Sequence, residues 1–297
     1  MTRMTAAVLV AGSTGLLGRE LVDRLAGSGV ALVTASRAPT GAAGHHVADL
    51  TAPGAAQALL AAVQPAAVVV LAGGAAADAA ELYRTNVLPT LHLLEAAAAA
   101  GLEPYFVVLG SAAEYGEGGD LLLREDHPPA PVSEYGRAKL AQTVLARAVA
   151  ERRNLPLTIL RPFNIVSPHL SPATALGNWR RQLLAAKGGS CEVRGGKLDQ
   201  IRDFVPAAAV AETVARLLRQ PRPGLTLNVC SGIGLELRDV LSAMARRAGC
   251  AVSAAADAAL SEIPAARRVV GDPQLLGETL GLSFPMDAEA VAGQMLA

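Results

Sequence analysis

The stretch VLVAGSTGLLG, residues 8–18, decides the fold that we expect for this chain. An apolar run typical of a buried strand leads into Gly12, Gly15 and Gly18 and then into the helical pattern LLGRELVDRL. Glycines at this spacing permit a tight turn and the close approach of a pyrophosphate, whose charge is favoured by the amides of a helix N-terminus. A plain glycine-rich turn is the alternative, but the flanking strand and helix favour a dinucleotide site.

The same alternation of strand and helix continues along the chain. Further strand-like runs occur at VALVTAS, AAVVVLAG, YFVVLGS and LTILRP, with alanine-rich helical stretches between them. This alternation is typical of βαβ units that build a parallel sheet. We therefore predict an α/β fold, a doubly wound parallel sheet of the Rossmann type, over residues 1–163. Residues 164–297 are predicted to form a smaller, mainly substrate-binding region, from which the run at 225–230 returns to the sheet.

Composition excludes some classes of partner. The chain has 297 residues, 52% of them hydrophobic, which is enough for a sizeable core. Its 26 basic and 26 acidic residues cancel, and aromatic residues make up only 3% of the chain. A surface that binds nucleic acid needs an excess of basic residues for the phosphates or more aromatic residues for stacking on bases. We therefore expect no nucleic-acid partner.

The cysteines and the apolar runs indicate the compartment. Cys191, Cys230 and Cys250 are odd in number and lack the close spacing of a zinc site, so we expect buried thiols in a reducing compartment and no metal. The start, MTRM, leads into too short an apolar run for a signal peptide, and no segment has the ~20 apolar residues of a membrane span. The sequence predicts a cytoplasmic protein without a membrane partner.

The end of the second strand indicates which dinucleotide binds. An NAD site has an acidic residue about 20 residues after the glycines, where it binds the ribose hydroxyls. This chain has Ser36 and Arg37 instead, a hydroxyl and a cation that suit the 2′-phosphate of NADP. Arg37 as a solvated loop residue is the alternative. We expect NADP (NADPH) rather than NAD, with Asp49 and Leu50 ending a short third strand beside the adenine, unless Asp49 only caps a helix.

A tyrosine and a lysine lie four residues apart in SEYGRAKLAQ, at Tyr135 and Lys139. This spacing places both on one helix face, and a neighbouring ammonium favours the phenolate of a tyrosine, whose usual pKa is about 10. Ser111 ends a strand, where open α/β sheets bind ligands, and would hydrogen bond to a substrate oxygen. The three residues predict hydride transfer to or from a carbon whose oxygen exchanges a proton with Tyr135. An incidental i,i+4 pair is the alternative.

These features resemble the extended short-chain dehydrogenase/reductase family, in particular its NAD(P)-dependent nucleotide-sugar epimerase, dehydratase and ketoreductase branch. The resemblance covers nearly the whole chain and rests on VADL, TNVLPTLHLLEAA, GSAAEYG, YGRAK, RPFN and RDFV, which follow the glycine turn in this order. It implies that Lys139 also contacts the nicotinamide ribose. It further implies a homodimer that pairs through two long helices, at about 79–100 and 134–152.

The residues and the resemblance together predict the contacts to both ligands. The expected cofactor-binding residues are Gly12, Thr14, Gly15, Leu16, Leu17, Gly18, Ser36, Arg37, Asp49, Leu50, Leu71, Ala72, Gly73, Asn86, Tyr135, Lys139, Pro162 and Phe163. The expected substrate-binding residues are Ser111, Asn164, Arg202 and Arg267, with Arg268 as an alternative to Arg267. Asn86 could instead satisfy a helix distortion near Pro89, and each arginine could be an ordinary surface residue.

Departures from the family pattern favour one reaction. Dehydratases of this branch have Asp and Glu directly after the catalytic hydroxyl residue, where this chain has Ala112 and Ala113, with Glu114 one residue later. Alanine cannot transfer a proton, so dehydration is disfavoured. Arg37 favours an exchangeable NADPH. The leading hypothesis is an NADPH-dependent ketoreductase of nucleotide-linked keto-sugars; the alternatives are a nucleotide-sugar epimerase and a non-catalytic NADP-binding regulatory or structural protein.

Overall fold

The structure is a computed structural model that describes residues 7–74, 76, 78–195, 197–256 and 266–297. The first six residues, on which the expectation of no signal peptide partly depends, lie outside the described residues. The chain forms two compact units. Unit 1 consists of Met1–Glu114, Glu134–Arg161 and Val210–Leu227. Unit 2 consists of Tyr115–Ser133, Pro162–Ala209 and Asn228–Ala297.

The sequence predicted a boundary after residue 163 and a return to the sheet at 225–230, and the division of the structure differs from this in part. Residues 115–133 belong to unit 2. Their backbone pairs there, because the amide of Leu123 donates to the carbonyl of Val270 at 2.8 Å. Residues 210–227 belong instead to unit 1. The chain therefore enters unit 2 twice before its final segment, and the first of these entries, at 115–133, was not predicted.

A seven-stranded sheet is the centre of the fold. With strands numbered in chain order, its members are β1 Ala7–Ala11, β2 Ala31–Ser36, β3 His45–Val47, β4 Ala67–Val70, β5 Tyr105–Leu109, β6 Leu157–Pro162 and β11 Thr226–Val229. Their spatial order is β11–β6–β5–β4–β1–β2–β3, and neighbouring strands run parallel. The predicted doubly wound sheet is confirmed, and β11 falls within the run expected to return to it.

The apolar strands of this sheet are buried along nearly their whole length. The side chains of Leu9, Val68, Phe106 and Ile159, from four neighbouring strands, share one hydrophobic core and are at most 1% exposed. Continuous apolar runs of this kind are typical of parallel strands that helices cover on both faces. The helices with residues in unit 1 are α1 Leu16–Leu25, α2 Ala55–Val63, α3 Ala79–Ala99, α4 Glu134–Arg153 and α6 Ala207–Arg219.

Unit 2 combines short strands with helices. Its strands are β7 Asn164–Val166, β8 Ser190–Gly195, β9 Ile201–Arg202, β10 Phe204–Pro206, β12 Leu235–Glu236, β13 Ala251–Ala256 and β14 Arg268–Val269. They pair as β10–β7, β12–β9–β14 and β13–β8. The helices wholly in this unit are α5 Ala175–Ala185, α7 Leu237–Ala248, α8 Gln274–Leu280 and α9 Ala288–Met295. Trp179, Phe204, Met244 and Met295 are buried in its core.

Two expectations about compartment can be compared with the described residues. Cys230 is buried, whereas Cys191 and Cys250 are only half-buried, and all three are free thiols. Within the described ranges, no helix combines the length and apolar character that crossing a membrane requires. No group of three or more His, Cys, Asp or Glu side chains in the same ranges could hold a metal ion.

The glycine turn yields the first prediction, which concerns stability. A Cβ on Gly18 would lie 2.3 Å from the carbonyl oxygen of Gly12, so Gly18→Ala must push α1 away from β1. We expect the free energy of unfolding to fall by about 1–3 kcal/mol, the usual cost of overpacking. Gly277→Ala in α8 is the matched control, because its Cβ would meet no atom closer than 3.7 Å. Urea denaturation measures both variants, and equal stabilities would contradict the packing argument.

Candidate active site

A cleft of about 660 Å³ opens at the carboxyl ends of the central strands of unit 1. The strand order reverses between β1 and β4, and loops that leave a parallel sheet in opposite directions at such a point leave a crevice for ligands. Ten of the predicted cofactor residues line this cleft: Gly12, Thr14, Gly15, Ser36, Arg37, Asp49, Leu50, Leu71, Ala72 and Gly73.

The glycine loop brings backbone close to backbone. Gly12 has φ +90°, and a Cβ there would lie 2.6 Å from the amide nitrogen of Ala72. Leu16, Leu17 and Gly18 form the first turn of α1, and Gly15 at the N-cap provides no side-chain cap. The amides of this turn can therefore donate to an anion, as a pyrophosphate requires.

Ser36 and Arg37 lie at the end of β2 on the wall of the cleft. The hydroxyl of Ser36 donates to the carbonyl of Ala38 at 2.7 Å, which fixes the start of the loop. Arg37 is exposed, and its charge reaches the carboxylates of Asp49 and Glu81. The guanidinium thus lies where a 2′-phosphate could contact it, beside two carboxylates that oppose an added negative charge.

Asp49 does not end a strand, contrary to the prediction. Strand β3 ends at Val47, and the Asp49 carboxylate accepts hydrogen bonds from the hydroxyl and amide of Thr51 at 2.7 and 3.0 Å. These bonds are the main reason why the pKa of Asp49 is lowered, and Arg84 and Arg37 add to the effect. Asp49 does not cap a helix either, since α2 begins later with a glycine at its N-cap.

The loop after β4 is braced by Asn86. Gly73 and Gly74 have φ +130° and +148°, and a Cβ on Gly73 would lie 2.5 Å from Asn86 Oδ1. The Asn86 amide accepts from Gly74 N at 3.0 Å and donates to the carbonyls of Gly74 and Leu82, both at 2.8 Å. Asn86 is fully buried, so the structure places it behind the cleft wall, where it acts on a cofactor only through this loop.

Ser111 and Tyr135 come together in unit 1, as the sequence predicted. Ser111 follows β5 at a short 3₁₀ turn, and its hydroxyl forms a hydrogen bond with the phenol of Tyr135 from α4. Burial raises the pKa of Tyr135, the bond from Ser111 lowers it, and the charge of Glu114 raises it again. The phenol is therefore neutral at neutral pH, which suits a proton donor.

Lys139 makes contacts that differ from the prediction. Its ammonium donates to the carbonyl of Leu109 at 2.8 Å and to Gln142 Oε1 at 2.9 Å, and neither bond goes to Tyr135. The carbonyl at the end of β5 attracts the ammonium because it offers an acceptor away from water. Burial lowers the pKa of Lys139 to about 8, although Glu114 partly raises it.

Glu114 is a site residue that the sequence analysis left without a role. Its carboxylate accepts from the amide of Ser111 at 2.8 Å, from the hydroxyl of Thr143 at 3.1 Å and from Arg161 Nε at 2.9 Å. Gly110 leaves room for it, since a Cβ there would lie 2.4 Å from Glu114 Oε1. Burial raises the pKa of Glu114 and Arg161 lowers it. A carboxylate engaged in this way cannot serve as the acid that a dehydratase needs.

The sequence did carry a signal for this pair. Glu114 and Arg161 each lie beside apolar residues, in GSAAEYG and at the end of LTILRP. A charged side chain in a buried segment is almost always paired, so each of these residues is expected to have a buried partner, which the local pattern does not identify.

The predicted diphosphate-binding arginines lie in unit 2, and Arg202 is already engaged there. Its guanidinium donates to the carbonyls of Ile201, Ala266 and Arg267 at 2.9, 2.7 and 3.2 Å and to Gln200 Oε1 at 2.9 Å. Burial lowers its pKa below the usual value. These bonds hold β9 and β14 together rather than leaving the cation open to a ligand.

Arg267 and Arg268 share a backbone partner, but their side chains are engaged to different extents. The amides of both residues donate to the carboxylate of Glu117. The Arg268 guanidinium also donates to the carbonyls of Gly119 and Leu121, at 3.2 and 2.8 Å. The Arg267 side chain is exposed. Of the three arginines, Arg267 is the one whose side chain is accessible to a phosphate.

Pro162, Phe163 and Asn164 follow one another at the end of β6, also in unit 2. The ring of Phe163 is buried, lies 6.3 Å from the ring of Tyr115, and leaves no room for a side chain at Gly271. The amide nitrogens of the Asn164 backbone and side chain both donate to the carbonyl of Asp203, at 3.0 and 2.8 Å. The ring and the amide group are thus both used within the unit.

Asp203 is the second residue that the sequence analysis left without a role. Its buried carboxylate accepts from the amide and hydroxyl of Ser231 at 2.8 and 2.7 Å, from Gly232 N at 2.9 Å and from Gly271 N at 3.2 Å. Burial raises its pKa, and these four bonds lower it. The signal was the acidic residue in RDFV, next to two apolar residues that are buried.

The chain is similar to characterised proteins over most of its length. Residues 8–230 match the model of the NAD dependent epimerase/dehydratase family. The chain is 30% identical to GDP-6-deoxy-D-mannose reductase of Pseudomonas aeruginosa, over 73% of this chain and 74% of that protein. It is 32% identical to dTDP-6-deoxy-L-talose 4-dehydrogenase (NAD(P)(+)) of Kitasatospora kifunensis, over 82% and 80%.

A solved structure extends the similarity to the tertiary level. The structure of RMD from Pseudomonas aeruginosa complexed with NADPH superimposes with a TM-score of 0.84 at 26% identity, over 98% of each chain. The family model covers more than half of this chain, and the fold and the glycine turn agree with it. The chain therefore belongs to the NAD-dependent epimerase/dehydratase family, within the extended short-chain dehydrogenases/reductases, and is an NAD(P)-dependent enzyme of that type.

Proposed function

We propose that this enzyme is an NADPH-dependent ketoreductase that acts on a nucleotide-linked keto-sugar. The observation that carries the choice of cofactor is Arg37, which lines the cleft at the end of β2 where an NAD enzyme has a carboxylate. Two similar proteins are named as a reductase and a 4-dehydrogenase of sugars linked to GDP and dTDP, and the reductase, RMD, was solved with NADPH. These relatives support the nucleotide-sugar class of substrate.

The residues of unit 1 would each have a part in the reduction. A bound NADPH would supply the hydride, with its pyrophosphate on the amides at the start of α1. Ser111 would hydrogen bond to the carbonyl oxygen of the substrate, and Tyr135 would give its proton to that oxygen as the hydride arrives at the carbon. The raised pKa of Tyr135 favours this direction, because the phenol is protonated when the reaction begins. Lys139 would hold the nicotinamide ribose.

The proposed substrate contacts come from residues of unit 2. Arg267, whose side chain is exposed, would bind the substrate diphosphate. Arg202 would hold the backbone of Arg267 in place through its hydrogen bond to the Arg267 carbonyl. Asn164 would present its side-chain oxygen to the sugar, because its amide nitrogen is already bound to Asp203. These assignments rest on the chemistry of the groups and on the family resemblance.

Replacing Tyr135 tests the reaction. With NADPH and a panel of 4-keto sugars linked to GDP, dTDP and UDP, we expect Tyr135→Phe to lower kcat by about 10²–10⁴, the usual contribution of a positioned acid. The matched control is Tyr83→Phe, because the Tyr83 hydroxyl donates to exposed Glu134, at 3.3 Å. NADPH oxidation measures turnover, and unchanged turnover in Tyr135→Phe would remove this residue from the mechanism.

The same panel, extended by the corresponding 4-hydroxy sugar nucleotides, separates the alternatives. An epimerase would interconvert two sugar nucleotides with no NADPH added, and a regulatory binder would take up NADPH without turning over any member of the panel. Either result would contradict the ketoreductase proposal, and NADPH consumption matched by loss of the keto-sugar would support it.

Cofactor preference gives a separate prediction. Arg37→Ala should weaken NADPH binding by about 10–100-fold, the value of one charge-assisted contact, and leave NADH binding almost unchanged, because only NADPH has a 2′-phosphate. Arg153→Ala is the control, since it removes the same charge from a surface pair with Glu95. Titration of cofactor fluorescence measures both affinities. Equal losses for the two cofactors would rule out a phosphate contact by Arg37.

We also propose that the enzyme is a homodimer that pairs through α3 and α4, as in the family. On α4, Val144 and Leu145 are 55% and 41% exposed and adjacent, so the helix offers apolar surface that a partner could cover. Val144→Glu combined with Leu145→Glu should give a monomer at micromolar concentration by light scattering. Leu184→Glu on α5, 49% exposed before the change, should not. A wild-type monomer would refute the pairing.

A further inference from the structure

The ammonium of Lys139 is held by two uncharged acceptors in a buried part of unit 1. Lys139 is 4% exposed, and its nitrogen donates to the carbonyl of Leu109 and to the side chain of Gln142 at 2.8 and 2.9 Å. A lysine ammonium has three hydrogens in a tetrahedral arrangement. Once two of them are bound, the direction of the third is set.

Gln142 also forms a hydrogen bond to a neighbouring helix. Its Nε2 donates to the hydroxyl of Thr90 on α3 at 2.7 Å, and both side chains are fully buried. An amide carries its donor and its acceptor on opposite arms. The Thr90 hydroxyl can pair with either arm, but the ammonium can only donate, so the oxygen arm must face Lys139 and a flip would bring two donors together there.

Two charged groups of the described residues matter for the ammonium of Lys139. Glu114, from the turn after β5, is the carboxylate whose charge acts on the ammonium, and Arg161 from β6 is bonded to that carboxylate. From α3 the group that faces this network is the Thr90 hydroxyl, and from β5 it is the Leu109 carbonyl, neither of which titrates. Tyr135 lies one turn earlier on α4.

We propose that Gln142 is a positioning residue for Lys139: it aims the third ammonium hydrogen and, because it is neutral, leaves the lysine without a direct ion pair. This rests on the proposed function only in that the hydrogen would be aimed at the nicotinamide ribose. A carboxylate at position 142 would hold the ammonium equally close but would neutralise its charge locally.

The electrostatic consequence is measurable without any ligand. Burial lowers the pKa of Lys139 to about 8, so its ammonium titrates in an accessible range. Gln142→Glu adds an opposite charge at hydrogen-bond distance and should raise the midpoint by roughly one to three pH units. Gln142→Met removes an acceptor of the charged form and should lower the midpoint.

The chain has only three lysines, Lys139, Lys187 and Lys197, which makes the measurement direct. Protein labelled with ¹³C at the lysine Cε gives three signals by NMR, and each is followed through a pH titration without cofactor or substrate. Lys187→Arg and Lys197→Arg assign two signals, so the third belongs to Lys139. Because no turnover is needed, a failure here is distinct from a failure of the proposed reaction.

Gln57→Glu is the matched control, since Gln57 is exposed on α2 and receives the same new charge. The proposal requires the Lys139 midpoint to rise in Gln142→Glu and fall in Gln142→Met, and to stay in place in Gln57→Glu. It is overturned if the Gln142 variants move the midpoint no more than the control does. If Gln142→Glu does not fold, Gln142→Met decides: a lower midpoint supports the proposal and an unchanged one overturns it.

Discussion

Contact between backbone segments at the start of α1 is the constraint on which the cleft depends. A side chain on Gly12 would strike the amide of Ala72, and one on Gly18 would strike the carbonyl of Gly12, so a Cβ at either position would force these segments apart. Because these segments touch, the uncapped amides of α1 and the loop after β4 border the same cleft. A dinucleotide site requires this closeness, since its pyrophosphate must approach backbone rather than side chains.

One buried carboxylate in each unit holds a loop in place. Glu114 holds the amide of Ser111 in unit 1, and Asp203 holds the loop at Ser231 and Gly271 in unit 2. A buried carboxylate without partners costs several kcal/mol, so each accepts three or four hydrogen bonds from its own unit. These hydrogen bonds also restrict how far the loops can move. A site that positions a reacting carbonyl needs such rigid loops.

Uncharged groups have a different effect around the reacting residues. Tyr135 is bonded to the hydroxyl of Ser111, and Lys139 to a carbonyl and an amide, and neither has a direct ion pair with another described residue. Burial then keeps the phenol protonated and brings the pKa of the lysine down to about 8. A neutral phenol one helical turn from a buried ammonium suits proton donation to a substrate oxygen.

The sequence by itself determined the α/β class, the parallel strands, the glycine turn and the pairing of Ser111 with Tyr135, because these depend on local periodicity and on residue types that the fold brings to one sheet edge. Only the tertiary structure decided which polar atoms meet. Glu114 and Arg161 are 47 residues apart, and Arg202 is bound by carbonyls 64 and 65 residues away. No local pattern encodes such partners, since they follow from the crossing of distant segments and from the cost of leaving buried charges unpaired.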